Sequence, residues 1–184
     1  MRWIPTKTMA TLPGSDQLSR RNLSETYDPQ TLSREGAETI VSRFGNIKVD
    51  CFSSPTNNCF ETKYCSTFYD LEDKNNLQSE GIHFLTSQDL VGRFWIFCPD
   101  DLAIPVMKLI SELNWDSKVN KLQILLLVKS SKVRDALGIF WSLKKKENVN
   151  LSWTKFASAN EKSTYLNFKT KSDLILFSMG KYYK

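Results

Sequence analysis

From residue 91 onward, apolar positions fall into compact runs separated by stretches with helical spacing. Residues 91–98 (VGRFWIFC), 122–128 (LQILLLV) and 174–179 (LILFSM) are apolar almost throughout. Runs of that length without alternation predict strands, the first two of them buried. Between the first two, Val106, Leu109, Ile110 and Leu113 recur at three- and four-residue spacing. They predict a helix from the Asp100-Asp101 pair to about Asn114, with Pro105 near its first turn, where a missing N–H is tolerated. A second helix is predicted after residue 129, capped by Ser130 or Ser131, with Val133, Ala136, Leu137, Phe140 and Trp141 as its buried stripe. It ends in Lys144, Lys145 and Lys146, where cations suit the negative end of the helix dipole. Residues 149–153 and 164–169 alternate as half-buried strands do.

The first half is less regular. Residues 1–30 show neither period and are punctuated by Pro5, Pro13, Gly14 and Pro29, so they predict a flexible arm. Met9 offers a second start besides Met1. Ser33, Glu35, the stripe Ile40, Val41 and Phe44, and Gly45 spell a short capped helix. Strands are expected over residues 47–51 and 59–69, with a turn over 53–58 and a polar loop over 70–81. The sum is an α+β fold: a mixed or antiparallel sheet with two to three helices packed on it. Residues 31–184 are expected to form one domain, long enough to bury a core.

Charge changes the picture more than composition does. Residues 1–92 hold 9 Lys/Arg and 12 Asp/Glu, whereas residues 93–184 hold 16 and 8. The second half therefore attracts polyanions. From Lys118 onward there are 14 Lys/Arg against 4 Asp/Glu. Candidate contacts to nucleic acid or anionic membrane are Lys129, Lys132 and Arg134; Lys144, Lys145 and Lys146; and Lys155, Lys162, Lys169 and Lys171. Trp153, Tyr165, Tyr182 and Tyr183 lie among them. Cations beside aromatics suit phosphate contact with base stacking, and equally an acidic lipid surface. The plainer explanation is a solvated face above an aromatic core. The near-absence of arginine favours diffuse attraction over bidentate reading.

Catalytic chemistry finds little purchase. The one histidine, His83, sits between apolar neighbours and reads as a half-buried structural residue; pairing it with a cysteine would make a small Cys/His-dependent enzyme. Cys51, Cys59 and Cys65 lack the close pairs of a zinc site, so no metal and no cofactor are expected. No glycine-rich phosphate loop is present. The start of the chain has no apolar core for a signal peptide, and no stretch approaches the ~20 apolar residues that span a bilayer. Reduced thiols in an intracellular protein are the expectation.

The segment Phe94-Trp95-Ile96-Phe97, the acidic pair Asp100-Asp101 and the helix that follows to Leu113 resemble the late strand, acidic pair and helix of rhabdovirus matrix proteins, in particular the small ones of plant-infecting members. Size, basic character and an N-terminal arm agree. The resemblance covers about a quarter of the chain. It implies a virion structural protein of the host cytoplasm that self-associates, condenses a nucleocapsid and touches the inner membrane face. The arm departs from the family in having no P-P-x-Y or P-[ST]-A-P motif, which puts an escort-machinery role in doubt. Two other expectations stand beside it: an RNA-binding accessory protein such as a silencing suppressor, and the Cys/His enzyme.

Overall fold

The computed structural model describes residues 31–159, 165–166 and 170–183. The chain divides after Thr31, and the body is Leu32–Lys184. The arm expected over residues 1–30 lies outside the described residues.

Helix α1 (Arg34–Phe44) forms where its caps place it. The Ser33 hydroxyl accepts a 3.0 Å bond from the Gly36 N–H, and Gly45, at φ 108°, ends the helix. Then come β1 (Val49–Asp50), β2 (Lys63–Tyr64), α2 (Gly81–Ser87), β3 (Gly92–Ile96), α3 (Ala103–Ser111), β4 (Lys121–Lys129), α4 (Ser130–Asp135), α5 (Leu137–Lys145), β5 (Ser152–Ala157) and β6 (Leu174–Tyr182). The strands make one mixed sheet in the order β2-β1-β3-β4-β6-β5. Neighbours from β2 to β4 are parallel; β6 runs antiparallel to both β4 and β5. The fold is of the α+β class, as the patterning predicts, with five α-helices among the described residues in place of two or three. The excess over three is the short α2, which the patterning does not predict, and the split of one predicted helix into α4 and α5.

The apolar runs are explained by cover on both faces. Phe94, Ile96, Leu122, Ile124, Leu126, Val128, Phe177 and Met179 pack with Leu85 of α2, Val106, Met107 and Ile110 of α3, and Phe140 and Leu143 of α5. The alternate residues Trp95, Leu125, Leu127, Leu174 and Leu176 pack with Ala37 and Ile40 of α1. Neither side of the strands is left to water, so the alternation that marks a one-sided sheet is absent.

Several expectations fail locally. The strands predicted over 47–51 and 59–69 shrink to two residues each, because loops take their hydrogen bonds: Ser53 N–H donates to Cys65, Leu77 N–H to Tyr64, and the Thr62 hydroxyl reaches Ile47 and Lys48 carbonyls. Val149 sits in the 3-10 turn Glu147–Val149 and not in a strand. Of the strand predicted over 164–169, only Tyr165 and Leu166 are described, and Leu166 makes an isolated bridge to Leu32. The helix predicted after β4 breaks at Ala136 (φ −122°, ψ 26°), and its first position is capped by no serine hydroxyl. The break resets the helical phase. Ala136, Phe140 and Leu143 become the buried stripe, while Leu137 and Trp141 turn outward, 61% and 62% exposed.

Candidate anion-binding surfaces

The predicted cations do not form one face. The C-terminal end of β4 carries the first group. There Lys129 is paired with Asp100 at 2.6 Å, so the residue that opens toward α3 takes the charge of the residue that closes β4. Lys132 and Arg134 follow on α4. Because Lys129 lies opposite Leu174 on β6, Lys171 falls at the same end. Lys155 on β5 reaches Asp173 at 3.6 Å, and the Asp173 carboxylate also accepts the Ala159 N–H at 2.6 Å. Lys129 and Lys155 thus already have acid partners. Lys162 and Lys169 lie outside the described residues.

Lys144, Lys145 and Lys146 belong to the other end of the sheet. Helix α3 returns the chain from the end of β3 to the start of β4, and Lys146 donates to the Ser111 carbonyl at the close of α3, 2.9 Å away. No described carboxylate forms an ion pair with Lys144, Lys145, Lys132 or Arg134. The Lys145 ammonium stands 5.8 Å from the centroid of the exposed Trp141 ring. Leu137 lies one helical turn before Trp141, on the same side of α5. Helix α5 therefore buries one side and presents a second apolar ridge that ends in lysines.

A third aromatic extends this flank. Phe140 stacks on Phe177 with ring centroids 4.3 Å apart, and Phe177 pairs in register with Trp153 on the edge strand β5. Paired residues share a sheet face, so Trp153, 64% exposed, stands at the margin on the α5 side. Periodicity alone assigns Leu137 and Trp141 to the core. Their i, i+4 spacing is visible in the sequence; the break that turns them outward is not.

Thiol and imidazole chemistry gains no support. His83 is exposed on α2, not half-buried as expected. Cys51, Cys59 and Cys65 are free thiols, and Cys51, Cys65 and Cys98 are buried. Burial pushes the Cys59 and Cys65 thiols up to about 12 and Cys51 well upward, aided by the nearby Asp50 carboxyl, which disfavours the nucleophilic thiolate. Asp50 is itself enclosed: desolvation raises it to about 8 against bonds from the Phe52 N–H and the Ser53 side chain. Among the described residues no group of three or more His, Cys, Asp or Glu is placed to hold a metal ion, and no helix is long and apolar enough to cross a membrane.

No protein-family model matches the chain, and a search of curated proteins returns no match.

Proposed function

We propose that this chain is a structural assembly protein of viral matrix type, not an enzyme, and that it attaches to an anionic membrane surface through α5. The observation that carries the reading is the outward pair Leu137 and Trp141 beside Lys144, Lys145 and Lys146. An exposed leucine and tryptophan cost free energy in water and regain it at a lipid interface, where tryptophan sits at headgroup level. Lysines close to an anionic leaflet each add about 1 kcal/mol. Trp153 widens the apolar contact, and Lys132 and Arg134 widen the electrostatic one. Self-association and contact with ribonucleoprotein complete the role that the sequence resemblance implies; the edge strand β5 is the natural place for a second copy to pair.

Co-sedimentation tests this directly. The protein is expected to pellet with phosphatidylserine-containing vesicles and not with purely phosphatidylcholine vesicles. Leu137→Ser with Trp141→Ser should release it at physiological salt. Lys144→Gln, Lys145→Gln and Lys146→Gln together should weaken binding and flatten its salt dependence. A wild-type protein that ignores acidic vesicles at low salt would sink the proposal.

A further inference from the structure

The loop that follows β2 is firmly held and yet puts apolar side chains into water. Two buried polar residues, Ser66 and Asn76, anchor it. The Ser66 hydroxyl accepts the Phe68 N–H at 2.9 Å, and the Asn76 side-chain amide donates to the Phe68 carbonyl at 2.8 Å. Asp70 accepts the Glu72 N–H at 3.0 Å, and the Asp73 N–H donates back to the Asp70 carbonyl at 3.3 Å. On this frame Phe68 is 56%, Tyr69 52% and Leu71 76% exposed, and no other large apolar residue among those described is as open as Leu71. A loop tied down by polar bonds gains nothing inside the molecule from three apolar tips, and such tips within four residues mark a contact surface. Its rim is acidic. Residues 68–80 carry Asp70, Glu72, Asp73 and Glu80 against Lys74. No described cation forms an ion pair with any of the four acids.

Helix α5 presents the complement: exposed Leu137 and Trp141, with Lys144 and Lys145 beside them. It also contains Gly138, which is exposed. Its backbone is ordinary helix, and a Cβ there would meet nothing within 4 Å. Glycine is a poorer helix former than alanine, and neither strain nor crowding within the molecule requires it here. It leaves the backbone bare three residues before Trp141, on the same side of the helix, as a notch beside the ring. The loop and the ridge do not meet within one molecule. The loop lies at the β2 margin, where Asn76 bridges Tyr64, whereas α5 packs on β6 through Phe140 and Phe177. Strands β1, β3 and β4 stand between, which puts β2 and β6 about 19 Å apart at the usual spacing of neighbouring strands.

We infer that the loop carrying Phe68, Tyr69 and Leu71 docks on α5 of a second copy of this chain, its apolar tips against Leu137, Gly138 and Trp141 and its Asp70 and Glu72 beside Lys144 and Lys145. Charge selects this occupant: an apolar loop with an acidic rim fits an apolar ridge with a basic one, whereas two like patches repel. A loop that is already held loses little freedom on binding, and aromatic anchors carry most of the energy of such contacts. Because the two surfaces differ, the contact is heterologous and repeats head to tail. The inference rests on the self-association proposed above and gives it surfaces beyond the β5 edge. It uses the α5 residues of the proposed membrane surface, so lipid and a second copy exclude each other there.

Fluorescence-detected sedimentation of labelled with unlabelled full chains tests the pairing. A labelled Leu137→Ser, Trp141→Ser variant keeps the loop and should bind an unlabelled Phe68→Ser, Leu71→Ser variant, which keeps α5. It should bind an unlabelled Leu137→Ser, Trp141→Ser chain at least tenfold more weakly. All four positions are exposed, so both variants should fold as the parent does, which circular dichroism checks. Asp70→Lys with Glu72→Lys, added to the labelled chain, should weaken the pairing at least tenfold, and Lys144→Glu with Lys145→Glu, added to the unlabelled loop variant, should restore it. Gly138→Leu in the unlabelled loop variant should weaken the pairing about tenfold by filling the notch. The same change should leave vesicle binding as strong as the parent's or stronger, because lipid gains from added apolar area. Equal binding to every chain would mark a symmetric contact such as β5 pairing and overturn the inference. So would no binding, a charge exchange that fails to restore it, or a Gly138→Leu chain that pairs unchanged. Pairing as described in a protein that ignores acidic vesicles would uphold the inference and remove the membrane reading; vesicle binding through α5 without the pairing would do the reverse.

Discussion

The centre of the sheet and its β1–β2 margin are built on different principles. From β3 to β6 the strands are long and apolar. β4 and β6 pair over nine residues each, from Lys121 opposite Tyr182 to Lys129 opposite Leu174, with helices on both faces. At the other side β1 and β2 are two residues long. There the chain is held by polar bonds from loops: Tyr64 donates to Asp73 at 2.6 Å, and Asp70, Asp73 and Asn76 each accept the N–H two residues further on. That margin also encloses a carboxyl group, Asp50. The first region is stabilised by area removed from water. The second depends on every polar group finding its partner, and it carries a built-in cost where a charge is shut in.

Cutting into the apolar region should have the largest effect. Leu125 is fully enclosed on the α1 side of β4. Leu125→Ala is expected to cost about 3–4 kcal/mol, the usual range for a cavity in a packed core, read from the midpoint of urea unfolding. A loss below about 1 kcal/mol would mean that α1 is loosely seated.

Asp50→Asn probes the contrast from the other side, and stabilisation is expected. In the unfolded chain the carboxyl ionises near 3.8, whereas in the fold it stays protonated until about 8. Between those values the unfolded state gains from losing a proton and the folded state does not. Stability should therefore fall as pH rises from about 4 to 8, and level off above that. A displacement of one pH unit is worth about 1.4 kcal/mol, so the variant should be more stable than the parent by roughly 3 kcal/mol or more at pH 8, with little difference at pH 4. Urea melts at both pH values check it; parallel profiles for the two proteins would show that Asp50 is solvated.

The smallest expected effect is at the cap of α1. Ser33→Ala removes the bond to the Gly36 N–H and should cost about 1 kcal/mol. Because α1 covers the face that contains Leu125, the loss should appear as faster amide exchange in α1 before it appears in β4. Simultaneous exchange in both would mean that helix and sheet open as one unit.

Legibility in the sequence follows the same division. Helix α1 can be read because its signals are local: a serine cap, a stripe and a stop glycine within thirteen residues. Strands β3, β4 and β6 can be read because burial on both faces leaves a run that no helix or loop needs. Residues 46–80 mislead, since Cys59 to Tyr69 have strand-forming side chains but spend their backbone bonds on loops. Helix α2 is hidden beside the same region; only Gly81 and Leu85 of its seven residues are buried. The candidate surfaces are legible as composition and not as places. Lysine excess after Lys118 is countable, but Phe68 and Tyr69 give no sign that they stand in water until Asn76 ties down the loop that carries them.

By itself, then, the sequence determined the class of fold, the central strands, the caps of α1 and the sign of the charge in the second half. Each depends on neighbours along the chain or on simple counting. Only the tertiary structure decided which lysines are already paired, that a break at Ala136 turns Leu137 and Trp141 outward, and that Phe68 and Tyr69 leave the sheet for an exposed loop. Those outcomes depend on which distant residues share a register or a helix face, and local periodicity carries no information about that.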